Sequence, residues 1–229
     1  MSQRIHAFSF VELLVVMVVF TGIVALLLPT LGGRRSGCGR SMQNSTQVRG
    51  IHTGLVLFSQ GNNTYYPGYD KDGNRMEDCS VEMVFQALLE DNYFTGEYAI
   101  SPSETKDIWR EGKVTAANYS YAMLNLSDLE SPRNKEWRDT SNSEAVVISD
   151  RARANGTGIK SVHTNPSKPN INEWRGSVGY NDNHVTFEAT HDNLETYYGH
   201  DEFLNDDLFD NQGASLAYKG LDEIIDPGK

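Results

Sequence analysis

A long apolar run near the N-terminus, residues 8–31, constrains the fold of this chain more than any other feature. Between Leu13 and Leu28 only Thr21 and Gly22 interrupt the run, and that stretch carries no charge. Its 24 residues would reach roughly 36 Å as an α-helix, which is enough to cross the apolar core of a bilayer. A buried helix of a soluble protein rarely runs so long without a polar face. The sequence therefore predicts a transmembrane helix over residues 8–31.

One carboxylate, Glu12, lies at the start of this run. A carboxylate in the middle of a bilayer costs on the order of 2.5–3.5 kcal/mol, and less near the interface. We therefore expect Glu12 to have a functional role. Two simpler alternatives are a carboxylate at the headgroup boundary and, for the whole run, an ordinary uncleaved signal anchor.

The segment before the run, residues 1–7, is short, polar and basic, and it ends in the small residue Ala7. A secretory signal would place its small-residue cleavage site after the apolar region, not before it. Together, Ala7, Phe8, Glu12 and Pro29 resemble the N-terminal signal of type IV prepilins and type II secretion pseudopilins. Glu12 is the fifth residue after Ala7 and Pro29 is the twenty-second, as in that family. Ala7 departs from the family, which usually has glycine before the cleavage site.

This resemblance implies that residues 1–7 are a leader, that prepilin peptidase cleaves between Ala7 and Phe8, and that Phe8 is then N-methylated. It implies a single-pass protein of the bacterial inner membrane that assembles into a pseudopilus or pilus-like filament. The implied partners are identical or related pilin subunits and an inner-membrane assembly platform. Glu12 would neutralise the terminal amine of a neighbouring subunit inside the lipid. Pro29 would kink the helix or end it at the membrane edge.

The charges that flank the run favour the opposite orientation from the one the resemblance implies. Arg4 precedes the run, whereas Arg34, Arg35 and Arg40 follow it. By the positive-inside rule, the C-terminal side would then lie in the cytoplasm. We give the prepilin pattern precedence and expect the head to be periplasmic or extracytoplasmic.

The remaining residues, 32–229, are enough for one domain with its own core. The resemblance implies that this domain is a pilin-like α+β head, in which the long N-terminal helix packs on an antiparallel β-sheet. The net charge of the chain is −11, and residues 188–229 supply most of it, with eleven acidic residues and two lysines. Because the head has no basic patch beyond residues 34–40, the sequence does not favour a nucleic-acid partner.

Helical periodicity is clear at two places in the head. Four apolar residues recur at spacings of three and four, which predicts an amphipathic helix ending near Gly61. They are Val48, Ile51, Leu55 and Phe58. Residues 81–90 predict a shorter helix, capped by Asp78 or Ser80.

The strands are predicted from shorter signals. Residues 118–123 predict a loop followed by a strand, and residues 144–149 predict a second strand. Residues 177–188 predict a β-hairpin around Asn181-Asp182-Asn183, since Asn and Asp tolerate positive φ. The ranges 127–142 and 154–174 are predicted to be loops.

Residues 34–68 also resemble a pseudopilin-like subfamily known by its uncharacterised C-terminal domain. The resemblance lies in an arginine-rich segment, Cys38, a helix and the turn Tyr66-Pro67-Gly68. That subfamily usually has a later Cys-Pro-Ser segment, whereas this chain has Ser-Pro-Ser at residues 101–103. A disulfide between Cys38 and Cys79 and two free thiols are both compatible with the sequence.

Two further sites are candidates for a ligand. The acidic tail holds four aspartates that would suit Ca²⁺, although charged runs are usually solvated surfaces. They are Asp201, Asp206, Asp207 and Asp210. His184 and Glu188 lie four residues apart, but their alternation with Val185 and Phe187 is typical of an ordinary half-buried strand.

Known enzyme motifs are nearly absent from the sequence, and we expect a structural subunit, not an enzyme. The main alternative is a membrane-anchored module whose head binds calcium or a surface polysaccharide. A second alternative, an anchored hydrolase, would require catalytic groups around Ser215 or His184.

Overall fold

The computed structural model of the chain describes residues 10–31, 37–155, 158–163, 173–210 and 214–226. These residues form three α-helices, one 3₁₀-helix and ten β-strands. The helices are α1 (Phe10–Leu31), α2 (Gly37–Gly61), α3 (Val81–Glu90) and the 3₁₀-helix Pro132–Glu136. The strands are β1 (Tyr121–Leu124), β2 (Val146–Asp150), β3 (Ala152–Asn155), β4 (Gly158–Lys160), β5 (Gly176–Tyr180), β6 (Val185–Glu188), β7 (Leu194–Tyr198), β8 (Asp201–Asp206), β9 (Leu216–Ala217) and β10 (Ile225–Asp226).

The chain divides into two compact units, Met1–Cys38 and Gly39–Lys229. The first unit contains α1, a helix of 22 residues. Its side chains are described from Phe10 to Ile23, and the large apolar ones among them are 52–77% exposed. Among the described residues, none of the helices is both long enough and apolar enough to cross a membrane.

The second unit, which we call the head, is built around a five-stranded sheet in the order β6-β5-β2-β1-β9. All neighbouring strands in this sheet are antiparallel. Two smaller sheets, β10-β3-β4 and β7-β8, complete the strands, and the pair β10–β3 is parallel. The predicted α+β class with antiparallel sheets is therefore confirmed.

Helix α2 packs against this sheet through the predicted apolar stripe. Val48, Ile51 and Leu55 are completely buried, and Phe58 packs against the same core. The helix and the sheet touch closely at Gly179 of β5, where an added Cβ would lie 2.8 Å from side-chain atoms of both Val48 and Ile148. Only a residue without a side chain allows α2 to approach β5 this closely.

Helix α3 has the predicted bounds, Val81–Glu90. Of the two predicted caps, Ser80 is used: its Oγ accepts a hydrogen bond from the Met83 N–H at 3.3 Å. The apolar face is buried, and Phe85 stacks on Tyr119 with 4.3 Å between the ring centroids. This stacking joins α3 to the loop that enters β1.

The hairpin β5–β6 is also confirmed. Asn183 in its turn has a φ of +71°, the left-handed conformation that Asn tolerates better than most residues. The turn after α2 is confirmed as well: Gly68 follows Pro67 with a φ of +98°, and the Tyr69 N–H donates to the Tyr66 carbonyl.

Two regions differ from the sequence-based expectation. Part of the predicted loop 154–174 is β-structure, because β3 pairs on one side with β4 and on the other with β10 near the C-terminus. The acidic tail is not a simple solvated run either. It forms the hairpin β7–β8 and supplies β9 to the edge of the main sheet.

Candidate functional site

The residues predicted for processing and assembly lie at the N-terminus. Ala7 and Phe8 fall outside the described residues. Glu12 lies in the first turn of α1 with its side chain exposed. It is the only charged residue in the sequence of this helix, and large apolar side chains surround it along the chain. Pro29 is within α1, which ends two residues later at Leu31.

Thr21 is a second residue of α1 whose side chain can form hydrogen bonds. Its hydroxyl donates to the carbonyls of Met17 and Val18, at 2.9 and 3.0 Å. Because its own helix satisfies Thr21, this residue adds little polarity to the helix surface. Glu12 therefore supplies the main polar feature of an otherwise apolar helix.

Cys79 is a buried free thiol. Its Sγ accepts a hydrogen bond from Arg75 Nε at 2.8 Å, and burial raises the pKa of the thiol. The side chain of Cys38 lies outside the described residues. Of the two alternatives that the sequence allows for Cys79, the structure has the free thiol.

The four aspartates predicted as calcium ligands have different surroundings and different partners. Asp206 is buried and pairs with Arg133 at 2.7 Å, and it also accepts hydrogen bonds from Thr196 and Ser215. Asp207 pairs with His191 at 2.8 Å. Asp201 and Asp210 are exposed.

No three His, Cys, Asp or Glu side chains among the described residues lie close enough together to hold a metal ion. The predicted calcium site is therefore not assembled in the described part of the chain. The physical reason is that protein groups already satisfy Asp206 and Asp207. Burial acts to raise the pKa of Asp207, but the hydrogen bonds from His191 and from the Phe209 N–H hold it below its usual value.

The groups considered for a hydrolase are not arranged for nucleophilic attack. Ser215 is completely buried, and its hydroxyl donates to Asp206 Oδ2 at 2.7 Å. His184 stacks on Tyr180 and pairs with Asp182, two residues earlier in the same turn. Each group thus has a local structural partner.

The side-chain amine of Lys106, in the head, has a shifted pKa. Burial lowers its pKa to about 8. The amine donates to the carbonyls of Ala116 and Tyr119, at 2.6 Å each, and to the Tyr218 hydroxyl at 2.5 Å. These three acceptors use all three donors of the half-buried amine, so Lys106 joins the segment that contains Ala116 and Tyr119 to Tyr218.

Two of the open cavities in the described part of the head are large enough to consider as ligand sites. One, of about 710 Å³, lies between α3 and residues 112–116 and includes Met83, Val114 and Lys113 in its lining. The other, of about 510 Å³, lies between the turn after α2 and the 3₁₀-helix; we call it the tyrosine cavity. Its lining includes Tyr65, Tyr69, Asn134, Lys135 and Arg138.

The two walls of the tyrosine cavity are connected through the backbone. The Tyr65 and Tyr69 rings are parallel within 9°, with 6.1 Å between centroids. Tyr65 pairs through its backbone with Arg138, so the two walls are joined by β-type hydrogen bonding. The sequence gives no sign that Tyr65 and Arg138 meet, because the two residues are far apart in the chain.

Comparison of the chain with protein-family models, curated proteins and solved structures found no match.

Proposed function

We propose that this chain is a structural subunit of a type II secretion pseudopilus or a type IV pilus-like filament. In this proposal, prepilin peptidase cleaves between Ala7 and Phe8, and Phe8 is N-methylated. The observation that carries the proposal is α1 itself: a helix with one carboxylate, Glu12, in its first turn and apolar side chains exposed on all sides.

The exposed apolar side chains of α1 would be stabilised by an apolar environment that shields them from water. Eleven large ones between Phe10 and Ile23 are more than half exposed. Each gains roughly 1.5–3 kcal/mol when it is transferred fully from water to an apolar environment. Lipid provides that environment before assembly, and the α1 helices of other subunits provide it in the filament.

Glu12 explains why such helices would associate in one register. A carboxylate in an apolar bundle is costly unless a cation lies beside it. The proposed cation is the amine of Phe8 on a neighbouring subunit, which stays positively charged after methylation. Only one axial displacement between neighbouring helices places these two groups together.

The head supports a pilin-like arrangement. Helix α2 lies on the antiparallel sheet through Val48, Ile51 and Leu55 and closes one face of the core. In the proposed filament, α1 would lie in the membrane or the filament core, and the head would face outward from the cytoplasm.

Mass spectrometry of the mature N-terminus tests the proposal. The full chain is co-expressed with a prepilin peptidase, and we expect a polypeptide that begins at methylated Phe8. An Ala7→Gly variant should be processed in the same way, because glycine is the residue the family usually has there. An Ala7→Asp variant, which places a charge at the cleavage site, should keep Met1. An intact Met1 in the unmodified chain would instead indicate a plain membrane anchor.

A further inference from the structure

Charge is distributed unevenly along this chain. Residues 13–69 contain four arginines and no acidic residue, whereas residues 70–229 contain 15 basic and 30 acidic residues. Helix α2 lies entirely in the first range, so a basic helix packs on an otherwise acidic head. Separated charges of opposite sign on one chain favour contacts between copies of that chain.

The side of α2 that faces away from the sheet is exposed along the whole helix. Its residues recur at spacings of three and four, opposite the buried stripe from Val48 to Leu55. They are Met42, Thr46, Arg49, Thr53, Leu57 and Gln60, and we call them the helix face. Arg49 lies near the middle of this face, and Met42 and Leu57, on either side of it, are 75% and 45% exposed.

Arg49 is the charged group of the helix face, and it has no ion-pair partner among the described residues. The hydroxyls of Thr46 and Thr53 donate to carbonyls of α2 itself. The helix face therefore offers a guanidinium between two exposed apolar side chains.

The outward face of the β7–β8 hairpin has the opposite charge. Tyr197 and Glu202 lie directly opposite each other in the hairpin, and the Tyr197 hydroxyl donates to Glu202. Glu195, two residues before Tyr197, is exposed, and Leu204 is 56% exposed. The Tyr197 N–H donates to the carbonyl of Glu144, which brings a third carboxylate beside β7.

We call this surface the hairpin face; it consists of Glu144, Glu195, Tyr197, Glu202 and Leu204. The hydrogen bond to Glu202 raises the pKa of Tyr197 to about 12, and the charges of Glu144 and Glu195 act in the same direction. No lysine, arginine or histidine in the described ranges forms an ion pair with these three carboxylates. The hairpin face thus combines an aromatic ring, three unpaired carboxylates and an exposed leucine.

Each face complements the other and repels its own kind. A guanidinium stacks on aromatic rings and forms two hydrogen bonds to a carboxylate, so Arg49 suits the groups around Tyr197. Two hairpin faces would instead place carboxylates against carboxylates, and two helix faces would place Arg49 against Arg49.

We propose that the hairpin face of one copy binds the helix face of a second copy, with Arg49 on the Tyr197 ring between Glu195 and Glu202. Because the two faces are different surfaces, this contact is heterologous. Each pair of copies keeps one free face of each kind, so further copies can add in the same way. Tethering by α1 in one membrane would raise the effective concentration of the heads and support a contact of modest area.

The inference rests on the proposed function for its role, since a repeating contact between heads would connect subunits of a filament. The contact itself requires neither cleavage after Ala7 nor Glu12. Its test therefore uses the full uncleaved chain, so that a failure of processing and a failure of this contact give separate results.

Cysteine crosslinking in phosphatidylcholine vesicles tests the contact. In a Cys38→Ser background, Leu57→Cys marks the helix face and Leu204→Cys marks the hairpin face; Cys79 is buried. With a short bis-maleimide, a chain with both substitutions should form a ladder of dimers, trimers and longer products. A mixture of the two single variants should give dimers only, and each single variant alone should remain monomeric.

Charge reversal assigns the contact to Arg49. In the chain with both cysteines, Arg49→Glu should lower the crosslinked fraction about ten-fold or more, because it places a carboxylate against carboxylates. Adding Glu195→Arg and Glu202→Arg to Arg49→Glu should restore the ladder. Arg110→Glu makes the same change at an exposed residue outside both faces and should have no effect. Sodium chloride should weaken crosslinking, because it screens exposed charges.

The inference is wrong if the chain with both cysteines forms no ladder, or if Arg49→Glu and Arg110→Glu crosslink equally. Covalent dimers of Leu57→Cys alone would show that helix faces pair with each other. If no ladder forms and maleimide labelling of Leu57→Cys is blocked only in vesicles that contain phosphatidylglycerol, an anionic lipid surface and not a second copy covers the helix face.

Discussion

Asn44 of α2 donates through Nδ2 to both carboxylate oxygens of Asp150 on β2, at 2.8 Å each. Both side chains are completely buried. Asp150 Oδ2 also accepts the Ser177 N–H at 2.7 Å and lies 3.2 Å from His163 Nε2. The buried carboxylate therefore joins α2 to two neighbouring strands of the main sheet, β2 and β5.

Replacement of Asn44 should weaken the head. Asn44→Leu removes a donor from the buried Asp150 and the acceptor used by Ser101 and Tyr121. We expect a loss of roughly 2–4 kcal/mol in the free energy of unfolding, because buried groups would be left without partners. Urea unfolding of the full chain in detergent, followed by tryptophan fluorescence, measures the change.

The matched control is Thr46→Ala on the same helix. Thr46 is exposed, and its hydroxyl donates to the Met42 carbonyl of its own helix. This variant should change the free energy of unfolding by well under about 1 kcal/mol. Equal effects of the Asn44 and Thr46 variants would contradict the role given to Asn44.

His52 should make the head less stable in mild acid. His52 lies on α2 beside Asn181, and burial lowers its pKa below the usual 6.5 because the charged ring is poorly solvated there. As the pH falls through 6.5, the unfolded chain takes up a proton before the native head does. Stability is therefore highest above pH 6.5 and declines below it, toward the lowered pKa.

The control for this effect is His52→Gln, which cannot titrate. Its unfolding free energy should vary less between pH 6.5 and about 5 than that of the parent chain. Carboxylates such as Glu104, whose pKa is lowered from the usual 4.5, act at lower pH and do not interfere. The same slope in both proteins would refute the assignment to His52.

A methyl group at Gly179 should separate α2 from the sheet. Gly179→Ala places a Cβ 2.8 Å from atoms of Val48 and Ile148, and overpacking of this kind costs about 1–3 kcal/mol. Gly39→Ala is the matched control, because nothing lies within 4 Å of its added Cβ. Thermal unfolding should show a lower midpoint for Gly179→Ala only. An unchanged midpoint in this variant would mean that α2 and β5 are not in close contact at Gly179.

Arg133 should hold the β7–β8 hairpin in place. It pairs with buried Asp206 at 2.7 Å, and its guanidinium carbon lies 4.2 Å from the centroid of Phe203. Arg133→Met would leave Asp206 buried without its cation, at a cost of about 3–5 kcal/mol. Amide hydrogen exchange in β7 and β8 should accelerate.

The exposed pair Lys219–Glu223 provides the comparison, since its side chains are 48% and 40% exposed. Lys219→Met should cost no more than about 1 kcal/mol, because water screens an exposed pair. Unchanged exchange in β7 and β8 of the Arg133 variant would show that the aromatic contacts alone hold the hairpin.

Glu12 should be required for assembly but not for membrane insertion. If the chain forms filaments, Glu12→Ala should enter the membrane fraction and be missing from fibres pulled down with tagged parent subunits. Thr21→Ala should be incorporated normally, because Thr21 is satisfied within its own helix. Incorporation of Glu12→Ala at the parent level would remove the basis for the register proposed here.

Local patterns predicted several elements correctly. The stripe from Val48 to Leu55 is buried, and α3 begins and ends at the predicted residues. The Asn181-Asp182-Asn183 turn joins β5 and β6. In each case the signal is a spacing of three and four or a turn residue that tolerates its φ, and neighbours in sequence determine both.

The contacts of the candidate site residues join parts of the chain that are distant in sequence. Asp206 looked like a ligand for calcium, yet it pairs with Arg133, 73 residues earlier. Tyr65 and Asn134 line one cavity although they come from separate segments. Composition could not show these pairings, because a carboxylate in an acidic run looks the same whether it is solvated or buried.

The sequence alone determined the two helices of the head and the β5–β6 hairpin. Only the tertiary structure decided that the acidic tail forms strands, that Asp206 is a buried ion pair and that two tyrosines line a cavity. The physical reason is range: periodicity and turn geometry act over a few residues, whereas burial and strand pairing depend on segments that meet only in the folded chain.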